Sequence, residues 1–329
     1  MDTNIGNSEL SVIMIVHNGD RYIEKAIDSI LVQTYSEFEF LILNDGSTDD
    51  TEHIILSCQK KDQRIKYLSN SDKKGLSYSR NRIIREAKGK YILTADADDI
   101  SLKNRLEIQM QFIKNNPNID IVGSSIVLMN DEDTIFDTWS YPENNNEIIK
   151  SLINGCSVAN PASLFKKEVF NKLNGYNESL TICEDWDFFY RASKYFTFHN
   201  INEPLIYYRI HNNNISKNKL EHTIVFSTYL QFNLDPKYIN SNILQLSELL
   251  PDKKEFLAEK VIQFYSFWID TYGKLGYKQL SKELYNSVLN NFLPVFNKAQ
   301  LLKFKRFCLS IFLRNNFIVE SFKILLNLK

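Results

Sequence analysis

The first hundred residues alternate apolar runs with stretches of helical periodicity. Leu10–Val16 is apolar and rich in β-branched residues, and Phe38–Leu43 is a second apolar run, which is typical of buried strands. Between them, apolar residues recur at helical spacing and predict an amphipathic helix. The alternation continues through a strand at 64–68, a helix over about 77–87 and a strand at 91–95. It predicts a mostly parallel sheet with helices on both faces.

The hydrophobic pattern changes further along the chain. Residues 101–216 mix strand and helix signals, whereas helical patterns follow one another from 217 to 329. We therefore expect an α/β domain over residues 1–216 and a helical region over residues 217–329.

Composition and charge narrow the class of protein. Hydrophobic residues make up 43% of the 329 residues and charged residues 24%, as in ordinary folded domains. The formal net charge of -1 predicts no general attraction to nucleic acid. The four cysteines form no CxxC pair, which argues against a zinc site or a disulfide framework and fits a reducing compartment. Because the N-terminus is polar and no apolar run is long enough for a membrane helix, we expect a cytoplasmic protein.

Three polar clusters each follow a predicted strand directly. They are His17–Asn18, Asn44–Ser47 and Asp96–Asp99. In open sheets of this kind ligands bind at the carboxyl ends of the strands, so we expect the clusters to converge. Neighbouring carboxylates repel one another unless a positive partner lies between them. A hard divalent cation takes oxygen ligands, and Asp96 and Asp98 are spaced to reach one directly or through water.

Each cluster taken singly has a simpler explanation. Acidic residues after a strand, such as DADD, are equally typical of a solvated turn or a helix cap. Glu184 and Asp185, at a predicted helix start, would complement the helix dipole. The chain has neither GxGxxG after a strand nor GxxxxGK[ST], so a cation-bridged diphosphate fits better than a helix-cradled one.

Six segments, in order and at matching spacing, resemble the family 2 inverting glycosyltransferases, which have the GT-A fold. The resemblance covers about Leu10–Ser216 and is to members of the bacterial surface-polysaccharide type. It implies a nucleotide-binding half over about 8–100 and an acceptor half over about 101–216. The segments that carry it are SVIMIVHNGDRYIEKAIDSILVQTY, FLILNDGSTDD, GLSYSRNRIIREAKGKYILTADADD, NPASLFKKEVFNKLNGYNE, CEDWDFFYRAS and EPLIYYRIHNNNIS.

The resemblance implies a role for each matching residue. Asp96 and Asp98 would place a Mn²⁺ or Mg²⁺ ion, with Asp98 the more direct ligand, and His211 would approach the metal or the diphosphate. Asp185 would be the catalytic base that takes a proton from the acceptor hydroxyl. The residues that would contact the nucleotide or the sugar are Val16, His17, Asn18, Asp45, which would bind the uracil, Arg80, Asn81 and Asp96.

Two neighbours of Asp185 are candidates for the acceptor site. Glu184 would tend to raise the pKa of Asp185, which suits a base. Trp186 would wall the acceptor site, although an aromatic residue at helical spacing is more typical of the core. The chain departs from the family at His17, where an aromatic residue, usually Tyr, is common, but a histidine ring can also stack on a base.

We therefore expect an inverting transferase that moves a sugar from a UDP-linked donor to a hydroxyl of a glycan. The resemblance implies a lipid-linked acceptor, of which undecaprenyl-diphosphate-linked glycan is one example, in O-antigen or capsule synthesis. A sugar nucleotidyltransferase would carry a Gly-rich basic loop after its first strand, and HNGDRYIEK lacks one. A non-catalytic glycan-binding or scaffolding subunit is disfavoured because Asp45, Asp96, Asp98 and Asp185 are all present.

Residues 300–329 carry six basic side chains against the single acid Glu320. A basic helix with interspersed aromatic residues is typical of contact with an anionic membrane surface. It is also typical of a helix that packs its apolar face and solvates its lysines, which is the more common arrangement. Contact with an anionic membrane surface would place the protein peripherally at the inner face of the cell membrane.

Overall fold

The computed structural model of the chain divides into two compact units, Met1–His211 and Asn212–Lys329. The predicted boundary at 216 lies within residues 212–219, outside the described part of the chain, and stays a prediction. The residues that the structure describes are 8–180, 183–211, 220–232, 243–275 and 278–314.

Strands of the first unit form one mixed sheet. Among the described residues the strands number nine. They are β1 (Leu10–Val16), β2 (Phe38–Asp45), β3 (Ile65–Asn70), β4 (Tyr91–Asp96), β5 (Ile100–Ser101), β6 (Ile121–Met129), β7 (Ile135–Trp139), β8 (Leu164–Lys166) and β9 (Phe198–Arg209).

The sheet has the order β3-β2-β1-β4-β8-β6-β9-β5, and β7 pairs with β6. Strands β3, β2, β1 and β4 are parallel neighbours, as the alternating pattern of the first hundred residues predicts. Strand β8 runs antiparallel to both β4 and β6, while β9 is parallel to β6. The carboxyl ends of β1, β2 and β4 therefore lie at one edge of the sheet.

Helices of the first unit cover the sheet. In the middle of α1 the buried residues Ala26, Ile27 and Ile30 have helical spacing, so the helix presents one apolar face to the strands. Alternate residues of β1 and β4 pack with buried residues of α1, α2 and α4 into the main core. These helices are α1 (Ile23–Leu31), α2 (Thr51–Lys61), α3 (Leu76–Glu86), α4 (Arg105–Asn115), α5 (Asn145–Ser151), α6 (Lys167–Leu173) and α7 (Glu184–Ala192).

The described part of the second unit is helical, apart from short 3₁₀ turns. Helix α10 is the longest at 21 residues, and it contacts α8, α11 and α12. Every helix in the described residues is too short or too polar to cross a lipid bilayer. The helices are α8 (Leu220–Phe232), α9 (Ile243–Leu249), α10 (Lys254–Lys274), α11 (Lys278–Asn291) and α12 (Lys298–Arg314).

Candidate active site

The segments after β1 and β2 contact each other at the edge of the sheet. The Nδ1 atom of His17 lies 2.8 Å from the carbonyl oxygen of Asp45. The main-chain N–H of Asn18 donates to the Ser47 hydroxyl at 2.9 Å. Asn18 adopts a left-handed conformation (φ 54°), which asparagine tolerates better than most residues. Two of the three predicted polar clusters thus meet, next to the buried side chain of Val16.

Asp45 anchors the loop between β3 and α3. Its buried carboxylate accepts hydrogen bonds from the Asn70 amide at 2.5 Å and from the N–H groups of Lys74 at 2.9 Å and Gly75 at 3.0 Å. Burial would raise the pKa of Asp45, but these hydrogen bonds more than offset it and hold that pKa below its usual value. Asp45 is therefore charged and held in place. Contact of its carboxylate with uracil stays a prediction.

Three carboxylates come together after β4. Asp96, Asp98 and Asp99 each offer an oxygen within 4.8 Å of the other two. The Oδ2 atom of Asp99 is buried, and no group of the described residues hydrogen-bonds to it. Burial, followed by the charges of Asp98 and Asp96, raises the pKa of Asp99 well above its usual value. Clustered oxygens with one uncompensated buried atom fit a hard divalent cation.

His211 joins this carboxylate cluster from the end of β9. Its Nε2 atom lies 2.9 Å from Oδ2 of Asp98, although the two residues are separated by 113 positions in the chain. An imidazole nitrogen binds Mn²⁺ less strongly than it binds softer metals such as Zn²⁺. Imidazole and carboxylate groups are nevertheless often hydrogen-bonded to each other at metal sites. The structure thus brings Asp96, Asp98 and His211 together.

A buried ion pair lies beside the proposed base. Nη1 of Arg80, on α3, lies 2.5 Å from Oε1 of Glu184 at the start of α7, and both side chains are less than 10% exposed. The Arg80 guanidinium also lies over the ring of Tyr176, 5.2 Å from its centroid. A buried arginine requires such a partner because an unpaired charge in the interior is costly. The pair fixes the first turn of α7, and with it Asp185.

Asp96 and Asp185 share one electrostatic environment. Burial is the largest cause that raises the pKa of each to about 6. For Asp185 the charge of Glu184 raises the pKa further, while Arg80 and the N–H of Trp186 lower it. Asp185 itself is among the charges that raise the pKa of Asp96. A carboxylate with a pKa near neutrality is suited to general base catalysis.

Asn81 and Trp186 make structural contacts. The Asn81 amide donates to the carbonyl of Tyr176 at 2.9 Å, and its oxygen accepts from the Tyr176 N–H at 2.8 Å. Trp186 is only 2% exposed, and its indole N–H donates to the carbonyl of Leu152 at 2.6 Å. Trp186 is therefore a core residue, and a direct role for either residue in binding stays a prediction.

Two residues of the site were not predicted from sequence. Asp99 belongs to the DADD cluster, but the resemblance implies no role for it, and the sequence cannot show that its carboxylate turns inward. Arg209 precedes His211 by two positions, and no periodicity or motif distinguishes it. In the structure its side chain is buried against the main chain of Asp98.

The sequence of this chain is similar to those of glycosyltransferases. The sequence model of Glycosyl transferase family 2 matches residues 11–173. The uncharacterized glycosyltransferase MJ1057 of Methanocaldococcus jannaschii is 33% identical over 67% of this chain and 77% of its own. The O-antigen biosynthesis glycosyltransferase WbnJ of Escherichia coli is 35% identical over 64% of this chain and 83% of its own.

Solved structures share the fold at low sequence identity. TarS of S. aureus in complex with UDP has a TM-score of 0.55 at 18% identity, covering 93% of this chain and 80% of that one. A mannosyltransferase of Pyrobaculum calidifontis in complex with GDP-Man and Mn²⁺ has a TM-score of 0.57 at 13% identity, covering 97% and 85%. The solved structures show that this chain has the GT-A fold. The family model and the two sequence relatives show that the chain belongs to glycosyltransferase family 2 and is a glycosyltransferase.

Proposed function

We propose that this glycosyltransferase acts with inversion, moving a sugar from a UDP-linked donor to a hydroxyl of a glycan acceptor. The observation that carries the proposal is the proximity of two separate carboxylate groups. The cluster of Asp96, Asp98 and Asp99 follows β4, and Asp185 lies in the first turn of α7, yet the charge of Asp185 raises the pKa of Asp96. Inversion needs a base and a leaving-group site on opposite sides of the sugar, and two carboxylate groups from different segments can supply them.

Asp185 is the proposed base. Its carboxylate takes the proton from the acceptor hydroxyl as the new glycosidic oxygen–carbon bond forms. The Arg80–Glu184 pair at 2.5 Å supports this role because it fixes the helix turn that carries Asp185. Glu184 and Trp186 lie on either side of Asp185 in the chain and are proposed to shape the acceptor side of the site.

The donor side is proposed to be formed by the segments after β1, β2 and β4. Asp98 and Asp96, with Asp99 and His211 beside them, would hold a Mn²⁺ or Mg²⁺ ion. Such an ion, when bound, would stabilise the charge that develops on the departing diphosphate. The residues proposed to contact the nucleotide or the sugar are Val16, His17, Asn18, Asp45, Arg80, Asn81 and Asp96.

The UDP-linked donor and the glycan acceptor are inferred from relatives. TarS has been solved with UDP and with UDP-GlcNAc, and WbnJ is named for O-antigen biosynthesis. We infer that this chain likewise acts in the synthesis of a surface polysaccharide, on a lipid-linked glycan.

A peripheral location at the inner face of the membrane would bring the enzyme to such an acceptor. On α12 the side chains of Lys303, Arg306 and Phe307 are exposed, while Phe304 and Cys308 are buried. The helix therefore packs its apolar face and still presents cations together with an aromatic ring, which supports binding to anionic lipid. The part of the predicted segment at 315–329 lies outside the described residues.

Calorimetric titration of UDP, with and without Mn²⁺, tests the proposed donor site. We expect the wild type to bind UDP tightly only when Mn²⁺ is present. In Asp98→Ala, added Mn²⁺ should no longer tighten UDP binding. Asp252→Ala, which removes an exposed carboxylate of the second unit, is the matched control and should bind as the wild type does. UDP binding that ignores both the metal and Asp98 would make the DADD segment a structural turn and overturn the proposal.

A further inference from the structure

We propose that Arg209 and Asp133 position the proposed metal-binding carboxylates, so that an exposed turn controls the affinity of the site for its cation. The inference rests on the proposed function, because it assigns these two residues to the support of Asp98 and Asp99. Neither residue would touch substrate or metal. Both are positioning residues.

Arg209 ties the end of β9 to the segment after β4. Its main-chain N–H donates to Oδ1 of Asp99 at 2.8 Å, and its Nε donates to the carbonyl oxygen of Asp98 at 2.9 Å. These bonds span 110 and 111 positions of the chain, so they fix a long-range approach that local turn geometry cannot supply. They hold the Asp99 carboxylate and the Asp98 main chain in one orientation.

The other end of the guanidinium is held by the turn between β6 and β7. Nη1 of Arg209 donates to the carbonyl oxygen of Asn130 at 2.8 Å and lies 2.6 Å from Oδ1 of Asp133. The guanidinium also lies over the ring of Tyr22, 4.5 Å from its centroid. Because the planar guanidinium donates in fixed directions, anchoring one end determines where Nε points.

Asp133 is the partner that can be changed without opening the core. The Arg209 side chain is 1% exposed, so removing it would leave a buried gap and unpaired acceptors, whereas the Asp133 side chain is 38% exposed. The Nζ atom of Lys25 also donates a hydrogen bond to Oδ2 of Asp133 at 2.5 Å. This bond lowers the pKa of Asp133 and keeps its carboxylate charged. Its backbone is left-handed (φ 62°), a conformation that asparagine and glycine adopt readily.

Glu132 provides a matched control in the same turn. It is exposed, and its side chain makes no hydrogen bond or ion pair among the described residues. Glu132→Gln removes the same unit of charge as Asp133→Asn, one position away. A difference between these variants reports the contacts of Asp133, with Arg209 and with Lys25, rather than the overall charge of the turn. Lys25→Gln, which removes only the second contact, should bind Mn²⁺ as the wild type does if the contact with Arg209 is the one that matters.

The experiment measures Mn²⁺ binding to the full chain, in the presence of UDP, by the loss of the free Mn²⁺ signal in electron paramagnetic resonance. We expect Asp133→Asn and Asp133→Gly to weaken Mn²⁺ binding about tenfold, as loss of an outer-shell partner does in other metal sites. The Mn²⁺ concentration for half-maximal activity should rise with it, while the thermal unfolding midpoint stays near that of the wild type. Glu132→Gln should match the wild type in each measurement.

Three results would count against the inference, and they are distinguishable. Wild-type affinity in both Asp133 variants would overturn it and leave the proposed function standing. An equal loss in Glu132→Gln would attribute the effect to net charge and also overturn the positioning role. Failure of the wild type to bind Mn²⁺, or binding that survives in Asp98→Ala, would overturn the proposed function and this inference with it.

Discussion

Asp185 owes its proposed role as a base to the charges around it. Burial and Glu184 raise its pKa to about 6, against the opposing effect of Arg80. A base acts only when deprotonated, so kcat/KM should fall about tenfold per pH unit below about pH 6. Glu184→Gln removes a charge that raises this pKa and should move the acidic limb to lower pH. The limb is read from kcat/KM against pH with a UDP-sugar that is turned over.

Two features of the assay isolate Asp185. The pKa of Asp96 is also raised to about 6, and saturating Mn²⁺ keeps that carboxylate charged. Asp187→Asn serves as the control for Glu184→Gln, because Asp187 is paired with Arg191 at 2.8 Å and should leave the limb in place. A profile that stays flat to pH 5 would contradict the assignment.

Replacing Asp185 by asparagine tests its chemistry directly. The amide keeps the shape of the carboxylate and can still accept the hydrogen bond from the Trp186 N–H, now at 2.7 Å. It cannot take a proton at neutral pH, so transfer should fall by about 10²- to 10⁴-fold while UDP affinity is retained. Transfer rates and UDP calorimetry on the same preparation separate the two effects. A variant that retains transfer would rule Asp185 out as the base.

Single residues also mark where sequence reasoning stops. The spacing of DADD predicted clustered carboxylates, and three of them do lie within 4.8 Å of one another. Their inward or outward direction depends on contacts made more than a hundred positions away, through Arg209 and His211. Nothing in the local pattern of YYRIH distinguishes a buried arginine from an exposed one.

Among the structural elements, the turn after β2 and the loop before α3 meet at Gly46. A Cβ atom at Gly46 would lie 2.5 Å from the carbonyl carbon of Asp72, and its φ is +68°. Because the obstacle is main chain, the loop held by Asp45 would have to move. Gly46→Ala should lower the free energy of unfolding by about 2 kcal/mol or more and weaken UDP binding.

Two other glycines calibrate this effect. Gly75 has φ +95° and ψ 160°, a backbone region essentially restricted to glycine, but a Cβ atom there would have no neighbour within 4 Å, so Gly75→Ala should show the backbone strain alone, about 1–3 kcal/mol. Gly155 has neither a positive φ nor a close neighbour, and Gly155→Ala should be near neutral. Thermal and denaturant unfolding should find Gly155→Ala the least destabilised of the three variants. A loss of stability at Gly155→Ala equal to that at Gly46→Ala would contradict the role assigned to the main-chain clash.

The elements nearest in sequence were predictable and the distant pairings were not. Helix α1 and strands β1, β2 and β4 follow from apolar runs and periodicity, because each satisfies its own backbone locally or with a parallel neighbour. The two-residue strand β5 pairs with β9, more than a hundred positions later, and carries no pattern of its own. The sequence predicts β9 only as part of a family segment, yet the end of this strand and the two residues after it bring Arg209 and His211 to the site.

At the scale of the whole molecule, charge is distributed unevenly. The chain has a formal net charge of -1, but residues 300–329 hold six basic residues and one acid. A local excess of this kind attracts anionic lipid even when the net charge is close to zero, since interactions beyond about 10 Å are screened. The described part of this segment, on α12, exposes Lys303 and Arg306, and Phe307 beside them is 43% exposed.

Reversing the charge of Lys303 and Arg306 tests membrane binding and leaves the buried side of α12 unchanged. Lys303→Glu combined with Arg306→Glu should reduce partition onto vesicles rich in phosphatidylglycerol by about 30-fold or more, because each basic residue near an anionic surface contributes about 1 kcal/mol. Lys60→Glu combined with Lys61→Glu makes the same change of charge on α2 and should leave partition unaltered. Flotation at low and at high salt measures both, and the wild type should be released as salt rises. Equal partition of the two double variants would mean that α12 does not bind the lipid surface and serves only to pack the helical unit.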